Sequence, residues 1–265
     1  MVLIDQFASY QRARGFSSDT IKRRTTTLRQ FRRLIAPSDF AEATESDIQE
    51  FLLRYRSPRT RHAYRSDLAT FYKWGVRRNL LPSNPCDLID PIKVPRPLPK
   101  PVPAELIPLL VAAAPDSDLQ LMIGLAAFAG LRVGEIAALD TDDVNMVRNV
   151  ITVRNGKGGK DRTVPVHPLL RNLLIPYVQR PGRVFDVRKE TIGRRMAAYL
   201  HAQGLRATAH KLRATFATEA AIGAEGNITM VQHLLGHSSP TTTMAYVDWN
   251  GGESAAVVDA MYAAG

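Results

Sequence analysis

The sequence predicts a mainly helical chain with a small β-hairpin or sheet, an α+β protein in two domains. Three observations point there. From residue 2 to about residue 90 the apolar side chains recur at helical spacing. Residues 93–103 then carry proline at every second position, which no helix sustains because proline lacks an amide hydrogen. Beyond them, in an otherwise helical stretch, two β-branched runs at 149–154 and 162–166 flank a Gly-rich segment, the pattern of a hairpin.

In the first part, Leu3, Phe7 and Tyr10 mark one helix face, and Ser17 to Asp19 offers an N-cap to the next. There Ile21, Leu28, Phe31 and Ile35 line one side, while Lys22, Arg23, Arg24, Arg29, Arg32 and Arg33 fill much of the rest. A third helix opens at Thr44 to Asp47 and buries Ile48, Phe51 and Leu52. A fourth runs from Pro58 to about Leu81, burying Tyr64, Leu68, Phe71 and Trp74 and exposing Arg59, Arg61, Arg65 and Lys73. After the extended proline segment, helices are expected near 104–113, 118–129, 132–139, 168–178, 189–203, 211–221 and 229–235, with a short one at 253–261. The expected division is 1–92 helical, 93–103 linker, 104–250 mixed, and 251–265 a C-terminal segment.

Charge narrows the function classes. The chain carries a net +10, and residues 1–95 hold 17 Lys/Arg against 10 Asp/Glu, a net of +7. Such an excess suits a polyanion, and cations laid along a nucleic-acid backbone release counterions as they bind. A single cysteine, Cys86, excludes an internal disulfide framework and a Cys-rich zinc site, and agrees with a reducing cytoplasm. The longest apolar stretch, residues 119–131, contains Gln120 and falls short of the roughly 20 residues that span a bilayer. No partnership with a membrane is expected.

The chemistry concentrates near the C-terminus. His210 and Arg213 are three apart, so on a helix they share a face. His237 follows Gly236, and Tyr246 lies nine positions further on. Two imidazoles, a guanidinium fork and a phenol suit work on a phosphate: the fork holds oxygens, histidine moves protons near neutral pH, and tyrosine can attack. Upstream, Arg132 begins a helix with Glu135 one turn on, in reach of an orienting salt bridge. Lys157 sits in a Gly-Lys-Gly turn, and Lys160 and Arg162 stand near it as candidate phosphate contacts. A P-loop is excluded, since Asp161 follows Lys160 and the loop joins strand to strand. His233 and His237 lack a third ligand and a continuous helical turn, so no metal site is expected.

These motifs, in this order, resemble the tyrosine recombinase (phage integrase) family: Ala129 to Ile136, then Asn155 to Lys160, then His210-x-x-Arg213, then Leu235-Gly236-His237, then Tyr246. The resemblance spans roughly residues 102–246 and extends more weakly upstream. It implies that residues 1–92 are a core-binding domain that clamps DNA, with Arg59, Arg61 and Arg65 on the backbone. It implies a catalytic set of Arg132, Lys157, His210, Arg213, His237 and Tyr246, supported by Glu135. Arg132 and Arg213 would hold the phosphate, Tyr246 would attack it, and His210 would take or share the phenolic proton. Lys157 would protonate the departing 5′ oxygen, and His237 would donate to the phosphate. Rejoining then needs no cofactor, neither ATP nor metal.

The resemblance also implies a homotetramer on duplex DNA with specific core sites, strand exchange through a Holliday junction, and a C-terminal segment packed on a neighbouring protomer. An accessory protein is compatible with it, as is a bacterial or phage-infected cytoplasm. With the core-binding helices expected to begin almost at Met1, the arm-binding domain of larger integrases is not expected here. Within the family, an integrase is the preferred reading. Two alternatives stay open: a type IB topoisomerase that relaxes supercoils as a monomer, and a DNA-binding regulator on the same fold.

Overall fold

A computed structural model describes residues 2–95, 100–154, 161–224 and 227–236. The chain forms two compact units, residues 1–97 and 98–265.

The first unit contains α1 (Val2–Ala13), α2 (Ser18–Leu34), α3 (Glu45–Leu53) and α4 (Pro58–Val76), followed by a 3-10 turn at Pro85–Leu88. Helix starts follow the expected local chemistry. The Ser17 hydroxyl accepts from the Thr20 amide, and Thr44 and Asp47 close a reciprocal capping box. Helix α4 ends at Val76, short of the expected Leu81, because the chain turns at Arg77 and Asn79 takes a positive φ of 54°. The core gathers Phe7, Leu28, Phe31, Ile48, Phe51, Leu68 and Phe71, all but excluded from water. Across it, Asp67 of α4, 1% exposed, accepts from Thr27 at 3.1 Å and pairs with Arg23 at 2.9 Å, both on α2. Arg65 departs from its expected exposure: it is half-buried, and its Nη2 donates to the carbonyls of Cys86 and Ile89.

The second unit begins with a 3-10 turn at Ala104–Leu106 and α5 (Ile107–Ala112), then α6 (Ser117–Phe128). Helix α6 is apolar all round, as a central helix must be. It is packed by α5, by α7 (Val133–Ala138), α8 (Pro168–Leu174), α9 (Lys189–Ala202) and α10 (Ala209–Gly223). Helix α11 (Ile228–Leu235) lies against α10. Val102 is buried here, and its carbonyl accepts from the Thr215 hydroxyl of α10 at 2.6 Å.

The β-branched runs pair as expected: β2 (Val150–Val153) lies antiparallel to β3 (Arg162–Pro165), with Ile151 opposite Val164. A third strand, β1 (Val144–Asn145), adds to the other edge of β2. Its two residues are too few to show a period of two in the sequence. On β3 the buried residues are Arg162 and Val164, so Arg162 points to the covered face of the sheet.

Candidate active site

The site grows out of the turn that ends α6. Gly130 has φ +62°, a conformation that side chains disfavour, and a Cβ there would run into the ring of Phe216. The turn delivers Arg132 to the N-cap position of α7. Glu135, one turn into that helix, reaches back: Arg132 N–H donates to its Oε2 at 2.8 Å and Arg132 Nη1 to its Oε1 at 2.6 Å.

Glu135 is the hub of a larger cluster. Arg162 places its fork on the same carboxylate, Nη1 to Oε1 at 2.9 Å and Nη2 to Oε2 at 2.8 Å. Arg213, from α10, brings Nη1 to 3.7 Å of Oε2. Three guanidinium groups thus surround one carboxylate, leaving an excess of positive charge at this point. Burial pushes the Glu135 carboxyl up, but the hydrogen bonds from Arg162 and the Arg132 amide, and both positive charges, outweigh it and hold the pKa at about 2.

The same three arginines take three successive carbonyls at the end of α11. Arg162 Nε donates to Leu234 O at 3.0 Å, Arg213 Nη2 to Leu235 O, and Arg132 Nη2 to Gly236 O at 3.2 Å. The last turn of any helix leaves carbonyls without partners and a partial negative charge, and cations answer both needs. Gly236 closes the helix in the left-handed region at φ 59°, ψ 45°. Arg213 is anchored further by Nη1 on the Gly130 carbonyl. Of the three side chains, Arg132 keeps 31% of its surface, whereas Arg162 and Arg213 keep 4% and 5%. Arg132 is therefore the most solvent-accessible of the three.

His210 lies one turn before Arg213 at the start of α10, and its side chain is exposed. Partial withdrawal from water, then the positive charges of Arg213 and Arg132, hold its pKa below the ordinary 6.5. The shift favours the neutral imidazole, the form able to accept a proton.

The sequence expectations divide into three groups. Arg132 and Glu135 of α7 and Arg213 of α10, distant in the chain, meet around one carboxylate and one helix end, and His210 lies one turn before Arg213, within reach of the charges of both arginines. Arg162 corrects the reading of it as a phosphate contact: it is 5% exposed, and its donors are committed to Glu135 and Leu234. The signal was in the sequence, since Arg162 shares strand parity with the apolar Val164 and Val166. Arg65 likewise directs Nη2 to carbonyls of its own unit, Arg61 is half-buried, and Arg59 is exposed. Lys157, Lys160, His237, Tyr246 and the segment 251–265 lie outside the described residues. Among the described residues, no cluster of three His, Cys, Asp or Glu side chains is placed to hold a metal, and no helix is long and apolar enough to cross a membrane.

Comparison with known proteins gives this arrangement its context. Residues 103–252 match the model of the phage integrase family, and residues 3–81 match the phage integrase N-terminal SAM-like domain. The chain belongs to the phage integrase family. It is a tyrosine recombinase, an enzyme that cleaves and rejoins DNA. Tyrosine recombinase XerA of Pyrococcus furiosus is 31% identical to it over 264 residues, covering 92% of this chain and 88% of the relative. The tyrosine recombinase fold is shared with a lambda integrase dimer bound to a COC′ core site, at TM-score 0.76 and 20% identity, covering 94% of this chain and 95% of the other. A lambda integrase tetramer bound to a Holliday junction gives TM-score 0.73 and 20% identity, covering 91% of this chain and 77% of the other.

Proposed function

We propose that this tyrosine recombinase exchanges strands between two specific DNA sites, with Tyr246 as nucleophile and Arg132, Lys157, His210, Arg213 and His237 as its catalytic partners. The gathering of Arg132, Arg162 and Arg213 about Glu135 carries the reading, because it concentrates positive charge beside a histidine held neutral. The Tyr246 oxygen attacks the scissile phosphorus as its proton passes to His210. The bond from phosphorus to the 5′ oxygen breaks, and that oxygen leaves as a hydroxyl with a proton from Lys157. Arg132 and Arg213, with a hydrogen bond from His237, offset the charge that builds on the non-bridging oxygens. The 3′-phosphotyrosyl bond keeps the phosphodiester energy, so attack by another 5′ hydroxyl reverses the chemistry on a new partner.

In this reading residues 1–92 clamp the duplex, 93–103 link, 104–250 catalyse, and 251–265 pack on a neighbouring protomer. The working unit is a tetramer on two duplexes, passing through a Holliday junction. The fold shared with a lambda integrase tetramer bound to such a junction supports this. Phage integration and resolution of chromosome dimers both fit, and the substrate separates them.

The test is covalent capture in cells. Wild type and Tyr246→Phe are expressed with candidate host and mobile-element DNA, the cells are denatured, and protein-linked DNA is sequenced. Recovery of one short site with wild type alone is expected, and its location on mobile or chromosomal DNA names the substrate. Relaxation of supercoiled DNA without exchange would indicate topoisomerase behaviour instead. Specific footprints by both proteins with no covalent DNA would indicate a regulator.

A further inference from the structure

Arg162 donates through all three of its side-chain nitrogens. Nε, Nη1 and Nη2 each donate to a separate acceptor, two on Glu135 and one on Leu234 O. The side chain is 4% exposed, which leaves it no surface for a ligand. It opens β3, immediately after the segment that contains Lys157, and it reaches α7 through Glu135 and α11 through Leu234. His237 follows α11's cap residue, Gly236, in sequence, and a Cβ on Gly236 would stand 3.0 Å from Arg162 Cδ and Nη1.

We infer that Arg162 is a positioning residue for strand cleavage: it locks Glu135, and through it Arg132, while fixing the end of α11 beside the base of the lysine-bearing hairpin. The inference rests on the proposed catalytic set and assigns Arg162 no contact with DNA. The physical basis is the planar fork. Glu135 Oε1 is shared by Arg132 Nη1 and Arg162 Nη1, and Oε2 by the Arg132 amide and Arg162 Nη2. With two donors on each oxygen the carboxylate is fixed, so the Arg132 guanidinium is held in one direction. Lysine keeps the charge at this position but supplies one nitrogen in place of three, so it cannot span Glu135 and Leu234 together.

The experiment uses the full chain and a fluorescent duplex of the captured site, nicked beside the scissile phosphate so that cleavage is irreversible. Single-turnover cleavage is measured at saturating protein, affinity and its salt dependence in a Tyr246→Phe background, and folding by thermal melting. Arg162→Lys is expected to slow cleavage on the order of tenfold or more, as losing an aimed donor does. Affinity should change less than about threefold and the salt slope not at all, since no phosphate contact is lost. In a Glu135→Gln background the same substitution should cost far less, because the two residues act as one unit.

Unchanged cleavage in Arg162→Lys overturns the inference. So does a lost salt slope, which would make Arg162 a phosphate contact, or full additivity with Glu135→Gln. If Arg162→Lys melts below the assay temperature, Arg162→Gln, which keeps a donor for Glu135, is carried through the same measurements and judged by the same outcomes. Cleavage by wild type and not by Tyr246→Phe supports the underlying catalytic reading independently. A wild type that cuts nothing overturns that reading and Arg162's role with it.

Discussion

At the scale of single residues, Glu135 decides most. Its carboxyl is held at about 2 against an ordinary value of 4.5. A carboxylate depressed in this way stabilises the fold fully above the unfolded pKa and loses that contribution as pH falls through the folded one. The difference is worth about 3 kcal/mol at pH 7. Glu135→Gln should therefore be less stable than wild type by about that amount in urea melts at pH 7, with the gap closing between about pH 5 and pH 2. A constant gap across that range would show that the charge is not the stabilising feature.

His210 makes a second pH prediction. Partial withdrawal from water and two neighbouring arginines lower its pKa, so the protonated form is disfavoured and the neutral form persists below pH 6.5. The acid limb of the cleavage profile should have its midpoint below 6.5 and should vanish from the residual activity of His210→Gln. Replacing Arg132 by alanine removes a positive charge and should shift the limb upward while lowering the rate by about 100-fold or more.

At the scale of elements, the end of α11 holds the site together. Three successive carbonyls accept from three arginines that come from α7, β3 and α10. Gly236 permits this by taking φ 59°, and a side chain there would be strained and would press on Arg162. Gly236→Ala should cost about 1–2 kcal/mol of stability and lower cleavage more than DNA affinity, measured on the same duplex. By contrast, Thr44→Ala removes a capping box at the exposed start of α3. It should cost about 1 kcal/mol in the melt and leave single-turnover cleavage unchanged.

Across the whole molecule, charge is distributed unevenly, with +7 of the net +10 in residues 1–95. DNA affinity should fall steeply with salt, and Arg59→Gln, at an exposed position of α4, should reduce the logarithmic slope by about one. Fluorescence anisotropy over a salt series checks this, and an unchanged slope would remove Arg59 from the interface. Among the described residues, the main hydrophobic cluster of each unit has no residue in common with that of the other. Phe71, excluded from water in the first, is packed edge to face against Phe7 with ring centres 5.4 Å apart. Phe71→Ala should destabilise that unit by about 3–5 kcal/mol, seen by calorimetry as a lowered transition for residues 1–97.

The sequence by itself determined the helical first unit, the paired β-branched strands and the family motifs. These are local properties: side-chain periodicity, cap chemistry and short fixed spacings act within a few residues and can be read there. It also pointed to Glu135 as a partner for Arg132, because three residues is one helical turn. Only the tertiary structure decided that the carboxylate serves three arginines and that the end of α11 supplies their carbonyls. Arg162 lies 27 residues from Glu135 and 72 from Leu234, separations at which sequence spacing carries no distance information. Its misreading has the same origin. A cation beside a Gly-rich loop looks solvated until the pleat of β3 turns it inward, where a buried guanidinium must find acceptors, and Glu135 and Leu234 provide them.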